Sequence, residues 1–439
     1  MSENYNNNFV PLELYKACKD SLITKIVVIS IIMFLLSVPQ NMIMKLIDER
    51  EQRSEEVIEQ ITQKWGKEQI IHGPILTIPI KVNDKIRHLH INPSELDIQG
   101  QLKPEERKKS IFKSIVYLSE LDINFSFNLQ QLQSLPEHYQ IDTKNTTLNF
   151  GVSDLKGLSQ SIELNWDNEK ISAQPGHKVP GLRTQGFHFP IILHSDTAHI
   201  SASTQIKIKG SRQLALNPSG KKSLIQLQSS WPHPGFQGSF LPDSYNISDS
   251  GFDAAWEVHD LQRNFVQSWW DNQTLPSQEQ LCEVRLVQIQ GTYSQIHRLV
   301  KYTLLFLCFT FGAVFISERI SRKIIHPLQY ILIGISSLLF YVLTLSLSEH
   351  IGFHLSYIIA ATLSTLMIAL YSKSLFQNWK NSAAIAALTG SLYGYLFGTI
   401  QLEDYALLMG TCGLVVILAA VMYFTKDLAE DHKLLTKSH

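Results

Sequence analysis

Apolar residues are distributed very unevenly along this chain. Five long apolar stretches crowd the C-terminal part, at 299–317, 328–347, 355–371, 383–400 and 405–424. A sixth, at 22–38, precedes them near the N-terminus with Lys25 close to its start. Each is about as long as a helix needs to cross a hydrocarbon core of roughly 30 Å. Backbone groups in lipid must satisfy one another within a helix, so the pattern predicts six transmembrane helices. The first run is followed by Pro39-Gln40-Asn41-Met42, which offers no small-x-small cleavage site, so 22–44 reads as an uncleaved signal anchor.

Between the first and second spans the period changes. In 45–66 the charges come first, and Val57, Ile58, Ile61 and Trp65 then recur at helical spacing, with Gly66 as the stop. Alternating, β-rich runs follow at 74–82, 114–129, 203–208, 223–228 and 282–289. Turn residues separate them, among them Asn92-Pro93-Ser94, Pro175-Gly176 and Asn217-Pro218-Ser219-Gly220. This predicts a large, mainly antiparallel, sandwich-like β domain. Pro79 implies an edge strand or a bulge. A split into two lobes near 175–185 has no sequence signal of its own. The expected organisation is a cytoplasmic N-terminus (1–21), helix 1 (22–44), a periplasmic helix and β domain (45–298), a five-helix transmembrane domain (299–425) and a cytoplasmic tail (426–439).

Composition alone would mislead. The chain is 44% apolar and 18% charged, with 38 basic and 39 acidic residues. Near-neutral charge argues against a nucleic-acid partner. The placement of the basic residues says more. Lys16, Lys19 and Lys25 flank span one, Arg319, Arg322 and Lys323 follow span two, Lys373 and Lys380 follow span four, and Lys426, Lys433 and Lys437 follow span six. The loops 348–354 and 401–404 carry no Lys or Arg. The positive-inside rule then puts both termini in the cytoplasm of a multi-pass membrane protein and 47–298 outside, in the periplasm if the cell is a Gram-negative bacterium. Of the four cysteines only Cys282 would face the oxidising side, so no disulfide staples the exported domain.

Candidate chemistry is sparse. There is no phosphate-binding loop, zinc-protease motif or nucleophile elbow. Ser110/Lys113, Ser153/Lys156 and Ser219/Lys222 match Ser-x-x-Lys, but the companion motifs of penicillin-recognising enzymes are missing. His88 and His90 share a strand face, and they read as solvent-facing because no further metal ligand is signalled nearby. The Pro-, Gly- and aromatic-rich segment 229–242 reads first as a folded loop with Trp231, Phe236 and Phe240 packed into the domain. Its alternative is a recognition loop in which Trp231, His233, Phe236 and Phe240 meet a partner. Glu349-His350 and Glu403-Asp404 fall at the outer ends of spans three and six. They cap helices in the simplest reading and form a polar membrane site in the alternative. The expectation is a non-enzymatic protein without cofactor, with the lipid bilayer as one partner and a protein or glycan as another. A proton-coupled transporter or channel using the two acidic pairs is the alternative.

Several stretches resemble the CreD family of bacterial inner-membrane proteins. They are Asp48-Glu49-Arg50 leading to Trp65-Gly66 and Gly73-Pro74-Ile75-Leu76-Thr77-Ile78-Pro79, then Trp231-Pro232-His233-Pro234-Gly235-Phe236, then Leu345 to Phe353, then Gln401 to Leu408 with Gly410. The resemblance spans nearly the whole chain after residue 20. It departs at Ser110, which stands where the family usually has glycine in a turn. It implies a role in envelope integrity and stress response, linked to colicin tolerance and β-lactam response, narrows the partner to an envelope protein, peptidoglycan or glycan, and carries no catalytic residue.

Overall fold

A computed structural model describes residues 22–401 except 137, 168, 195–197, 264–265, 272–279, 288–291 and 322, together with 408, 410, 411, 415 and 419. The chain forms two compact units, Met1–Gln52 with Gln290–His439, and Arg53–Ile289.

The helices of the first unit are α1 (Leu22–Trp65, whose last turns belong to the second unit), α2 (Thr292–Lys301), α3 (Thr303–Ser321), α4 (Pro327–Ile351), α5 (Phe353–Phe376) and α6 (Trp379–Gln401). Among the described residues, α1 and α3 to α6 are long and apolar enough to cross a membrane. The span expected at 405–424 lies almost entirely outside the described residues. Helix α1 has 44 residues and is about 66 Å long, roughly twice a hydrocarbon core. Ile32, Leu36, Ile43 and Ile47 form its buried stripe, while Phe34, Leu35, Val38 and Met42 are left to lipid.

Span two starts later than the apolar run suggests. Leu299 and Val300 belong to α2, an amphipathic helix that also buries Gln295 and Ile296, and α3 begins only after Tyr302. The bundle centre is aromatic. The Tyr393 ring lies 4.4 Å from both Phe306 and Phe340, and its hydroxyl is 2.9 Å from Ser364 Oγ. Buried Ser and Thr line the helix seams, as in Ser337, Thr344, Ser356 and Thr389, where small polar side chains let helices approach closely. Gly352 alone separates α4 from α5, at φ +81°, a conformation that suits glycine.

The second unit is a sandwich. In chain order its strands are β1 (Gln69–Val82), β2 (Lys85–Ile91), β3 (Glu95–Lys109), β4 (Phe112–Asn128), β5 (Gln140–Ile141) and β6 (Thr146–Val152). Next come β7 (Glu163–Trp166), β8 (Glu169–Ser172), β9 (Gln174–Pro175), β10 (Gln185–Ile191), β11 (His199–Ser211) and β12 (Gln213–Leu216). The last are β13 (Lys222–Ser229), β14 (Pro234–Gly238), β15 (Ser244–Ser248), β16 (Gly251–His259), β17 (Ser268–Trp270) and β18 (Cys282–Leu286). One sheet runs β14-β18-β12-β1-β6-β10-β9, with β2, β5 and β17 attached beside β1; the other runs β15-β16-β13-β3-β4-β11-β7-β8. Pairing is antiparallel except β1 with β12 and β13 with β3.

Both sheets bury their inner faces in one core, with Leu76, Phe150 and Phe189 from the first and Tyr117, Phe127 and Trp256 from the second. There is accordingly no division into two lobes near 175–185. Strand β13, KSLIQLQS, alternates exposed and buried at every residue, the period-two signature. The α1 terminus docks on this unit through Trp65, whose Nε1 donates to Tyr117 O at 3.2 Å and whose ring carries Arg107 at 4.4 Å.

One expectation needs correction, and one departure finds its physical reason. Pro79 is not on an edge strand, since β1 pairs with β2 on one side and with β6 and β5 on the other. Pro79 O accepts from Asp142 N at 2.9 Å, so the missing N–H points the same way, into the gap where the ladder passes from β6 to β5. Ser110 sits in the β3–β4 turn at φ +58°, which is the physical reason for a glycine there.

Relieving that turn is expected to stabilise the domain, so Ser110→Gly should raise its unfolding free energy by about 1 kcal/mol, read as an increased melting temperature. A second expectation concerns acid. Burial lowers the His72 pKa to about 4. The unfolded chain, titrating near the ordinary value of about 6.5, therefore binds more protons between those pH values, and stability falls as pH drops through that window. The loss at pH 4 is about 3 kcal/mol, and a His72→Gln variant compared with wild type in melts from pH 7.5 to 4.5 should show a correspondingly flatter profile.

Candidate functional site

Three groups of side chains merit a functional reading. The first surrounds the aromatic segment. Residues Pro234–Gly238, expected as loop, form β14, held to β18 at the end of the first sheet. Trp231 Nε1 donates to Val287 O at 3.0 Å, and Trp256 Nε1 donates to Phe240 O at 3.1 Å. Trp231, Phe236 and Phe240 all pack partly buried against the core, while His233 stays exposed. Phe236 also contacts Tyr245 of β15 at 5.4 Å, so the terminal strands of the two sheets meet here. All five residues of β15 are exposed, and Leu241, Tyr245 and Ile247 put apolar surface in water. The aromatics thus anchor a site whose outward groups are β15, Leu241 and the free side of β14.

The second group is a buried polar chain that the sequence reading missed. His88 and His90 do share a face of β2, but His90 is not solvent-facing: β17 covers it, and Trp269 stacks on its ring at 5.3 Å. Asp271 Oδ2 accepts from His88 Nδ1 at 2.7 Å, and Asp271 Oδ1 accepts from His90 Nε2 at 2.8 Å. Thr77 Oγ1 lies 2.9 Å from His90 Nδ1 and accepts from Asn149 Nδ2 at 3.0 Å. With Asp271 ionised, every donor in this chain has one direction and His90 carries its proton on Nε2. Burial lowers the His90 pKa, against the pull of Asp271. Burial alone would raise Asp271, but the bonds from His90 and His88 outweigh it and hold the carboxyl below the ordinary value. Thr77 and His90 are 1% and 0% exposed, so the Thr-His-Asp order here locks β1, β2 and β17 together and presents no hydroxyl to solvent. Nothing in the local spacing links His90 to an aspartate 181 residues away.

The third group lies in the helical unit. Glu349 accepts from Tyr293 Oη at 3.1 Å and lies 3.9 Å from Arg50, while His350 is exposed. Asp48 and Glu51 flank His297 Nε2 at 2.8 and 3.8 Å. Glu403 and Asp404 lie outside the described residues. A stronger intramembrane feature was missed. Glu318, 2% exposed near the end of α3, takes Lys25 on Oε1, the backbone N–H of Ile325 at 3.1 Å and Tyr330 Oη on Oε2 at 2.9 Å. Its signal was available, because Lys25 is the one charge inside the first apolar run and Glu318 the one acid at the end of the second.

The Ser-x-x-Lys pairs are not brought together as dyads. Lys113 pairs with Glu106 at 3.2 Å and Lys222 with Glu257 at 3.0 Å, and Ser153 Oγ donates to Glu68 O at 2.7 Å. Cys282 is fully buried, and burial pushes its thiol up to about 12, which leaves it unreactive.

A family model described as inner membrane protein CreD matches residues 21–429. The curated inner membrane protein CreD of Escherichia coli K12 is 30% identical over 422 residues, covering 90% of each chain.

The Lys25–Glu318 contact yields a stability expectation. Glu318→Ala leaves Lys25, Ile325 N and Tyr330 Oη without their acceptor in a low-dielectric setting and should cost roughly 3 kcal/mol. The double variant Lys25→Met/Glu318→Leu should recover most of it, and melts of the purified protein in detergent measure both.

Proposed function

The chain belongs to the CreD family of inner membrane proteins, and from that premise we propose that it holds its β domain in the periplasm and contributes to envelope integrity by binding an envelope protein there, without catalysing a reaction. The orientation is supported by the basic residues of the short connections. Lys323 reaches Leu375 O and Gln377 between α5 and α6, and Lys25 reaches Glu318 at the end of α3, so these cations gather at one end of the helical unit, the cytoplasmic end by the positive-inside rule.

The observation that carries the binding reading is the meeting of β14 and β15. A fully exposed terminal strand offers unpaired backbone donors and acceptors, and proteins usually blunt such strands with lysine, proline or bulges. Strand β15 reads Ser-Tyr-Asn-Ile-Ser and has none of these. Its own Tyr245 and Ile247, with Leu241 nearby in the chain, add exposed apolar area. An extended segment of a partner adding to this edge would gain main-chain hydrogen bonds and side-chain burial together. Support for the transporter alternative is weaker, since Glu349 is already engaged by Tyr293 and Arg50.

A photo-crosslinking residue at Leu241 should capture one envelope protein in cells. Tyr245→Lys/Ile247→Lys should abolish that capture and envelope resistance while leaving membrane insertion intact, and Glu349→Gln should leave both in place. Loss of resistance with Glu349→Gln alone, together with normal crosslinking, would overturn the binding reading in favour of transport.

A further inference from the structure

A polar groove of about 740 Å³ crosses the outer face of the second sheet, on β3, β4, β11, β7 and β8. Strand register builds it. Asp97 lies opposite Asn124, Asn124 opposite Ser203, Ser203 opposite Asn165 and Asn165 opposite Lys170, one continuous row over five strands. At the usual strand spacing of about 4.8 Å the row is about 19 Å long. Glu95 and Ser126 belong to the neighbouring row, and Asp167 in the β7–β8 turn completes the rim. The core side of the same strands is apolar, so these residues face outward on a rigid frame.

The chemistry of the lining narrows the ligand. Glu95, Asp97, Asn124 and Asp167 spend no side-chain hydrogen bond or ion pair on described protein groups, and Asn165 makes only a long contact of 3.4 Å to Ser203 Oγ. Three carboxylates against one lysine disfavour an anion, which removes nucleic acid and phosphate-rich ligands. Exposed Trp, Tyr and Arg, the usual anchors of a protein interface, are missing from the lining. Amides, hydroxyls and carboxylates together offer donors and acceptors at close intervals, which is what a ligand covered in hydroxyl groups requires. Short Ser and Asn side chains lose little freedom on binding. We infer that this groove binds a neutral, hydroxyl-rich oligosaccharide. The site is separate from the β14–β15 edge, and only the source of its ligand rests on the periplasmic placement of the domain.

The test is calorimetric titration of the full chain in lipid nanodiscs, free of sugar-headed detergent, with chitotetraose and with cellotetraose. At least one neutral probe should bind saturably, and a sulfated oligosaccharide should not. Asn124→Ala/Asn165→Ala, at exposed positions, should weaken binding about tenfold with an unchanged melting temperature. Ser126→Tyr, which fills the groove, should weaken it as well, and Gln228→Ala, on the same sheet outside the groove, should not. Absence of saturable binding to both neutral probes, equal affinity in the double variant, or saturable heat with calcium ions alone would overturn the proposal. A failed titration leaves the orientation untouched, since topology is read separately by labelling single cysteines in cells.

Discussion

Every backbone N–H and C=O must find a partner, and the solvent around each part of the chain decides where. In lipid no water is available, so the apolar spans close their hydrogen bonds within helices and the few ionised groups must be neutralised on the spot. Glu318 meets that demand with Lys25, the Ile325 amide and Tyr330 Oη, and so ties α1, α3 and α4 together. In water the same accounting is looser. The sandwich can end in open strands, because β14 and β15 have water on their free sides, and the groups left unspent there are the ones a partner can use.

The same rule explains why interior and surface of the β unit are built differently. Inside, Asn149, Thr77, His90 and Asp271 form a chain in which each of these groups is hydrogen-bonded to the next. Outside, Asp97 and Asn124 stand in register on rigid strands with no side-chain partner among the described residues. A satisfied network holds strands in place, and an unsatisfied row on the resulting frame is ready for a ligand. The rigidity of the first is what keeps the spacing of the second.

Much of the architecture was legible in the sequence because it depends on local periodicity. The apolar runs gave the spans, and the alternation in Lys222–Ser229 gave a half-buried strand at every position. Helix boundaries were less legible where one pattern runs into another. Leu299 and Val300 look like the start of a span and belong instead to amphipathic α2. Ser110 could be flagged as an odd residue, but only the backbone shows why, since its φ is positive.

Contacts between distant residues were not legible, and the sites are made of such contacts. His88 and His90 appeared to lack a third member because Asp271, just after β17, comes from far along the chain. The groove row needs five strands in register, and no single strand contains more than a few Ser, Asn or Asp residues of unremarkable spacing. Conversely, the segment around Trp231 was conspicuous in composition because its aromatics serve the core as well as the surface. Composition therefore drew attention to where side chains are anchored, while the groups left free for recognition lie beside it on β15 and across the second sheet. In a sandwich of this kind the residues that stand out in the sequence are those that fix the frame, and the ligand-facing residues are ordinary polar ones made significant by register.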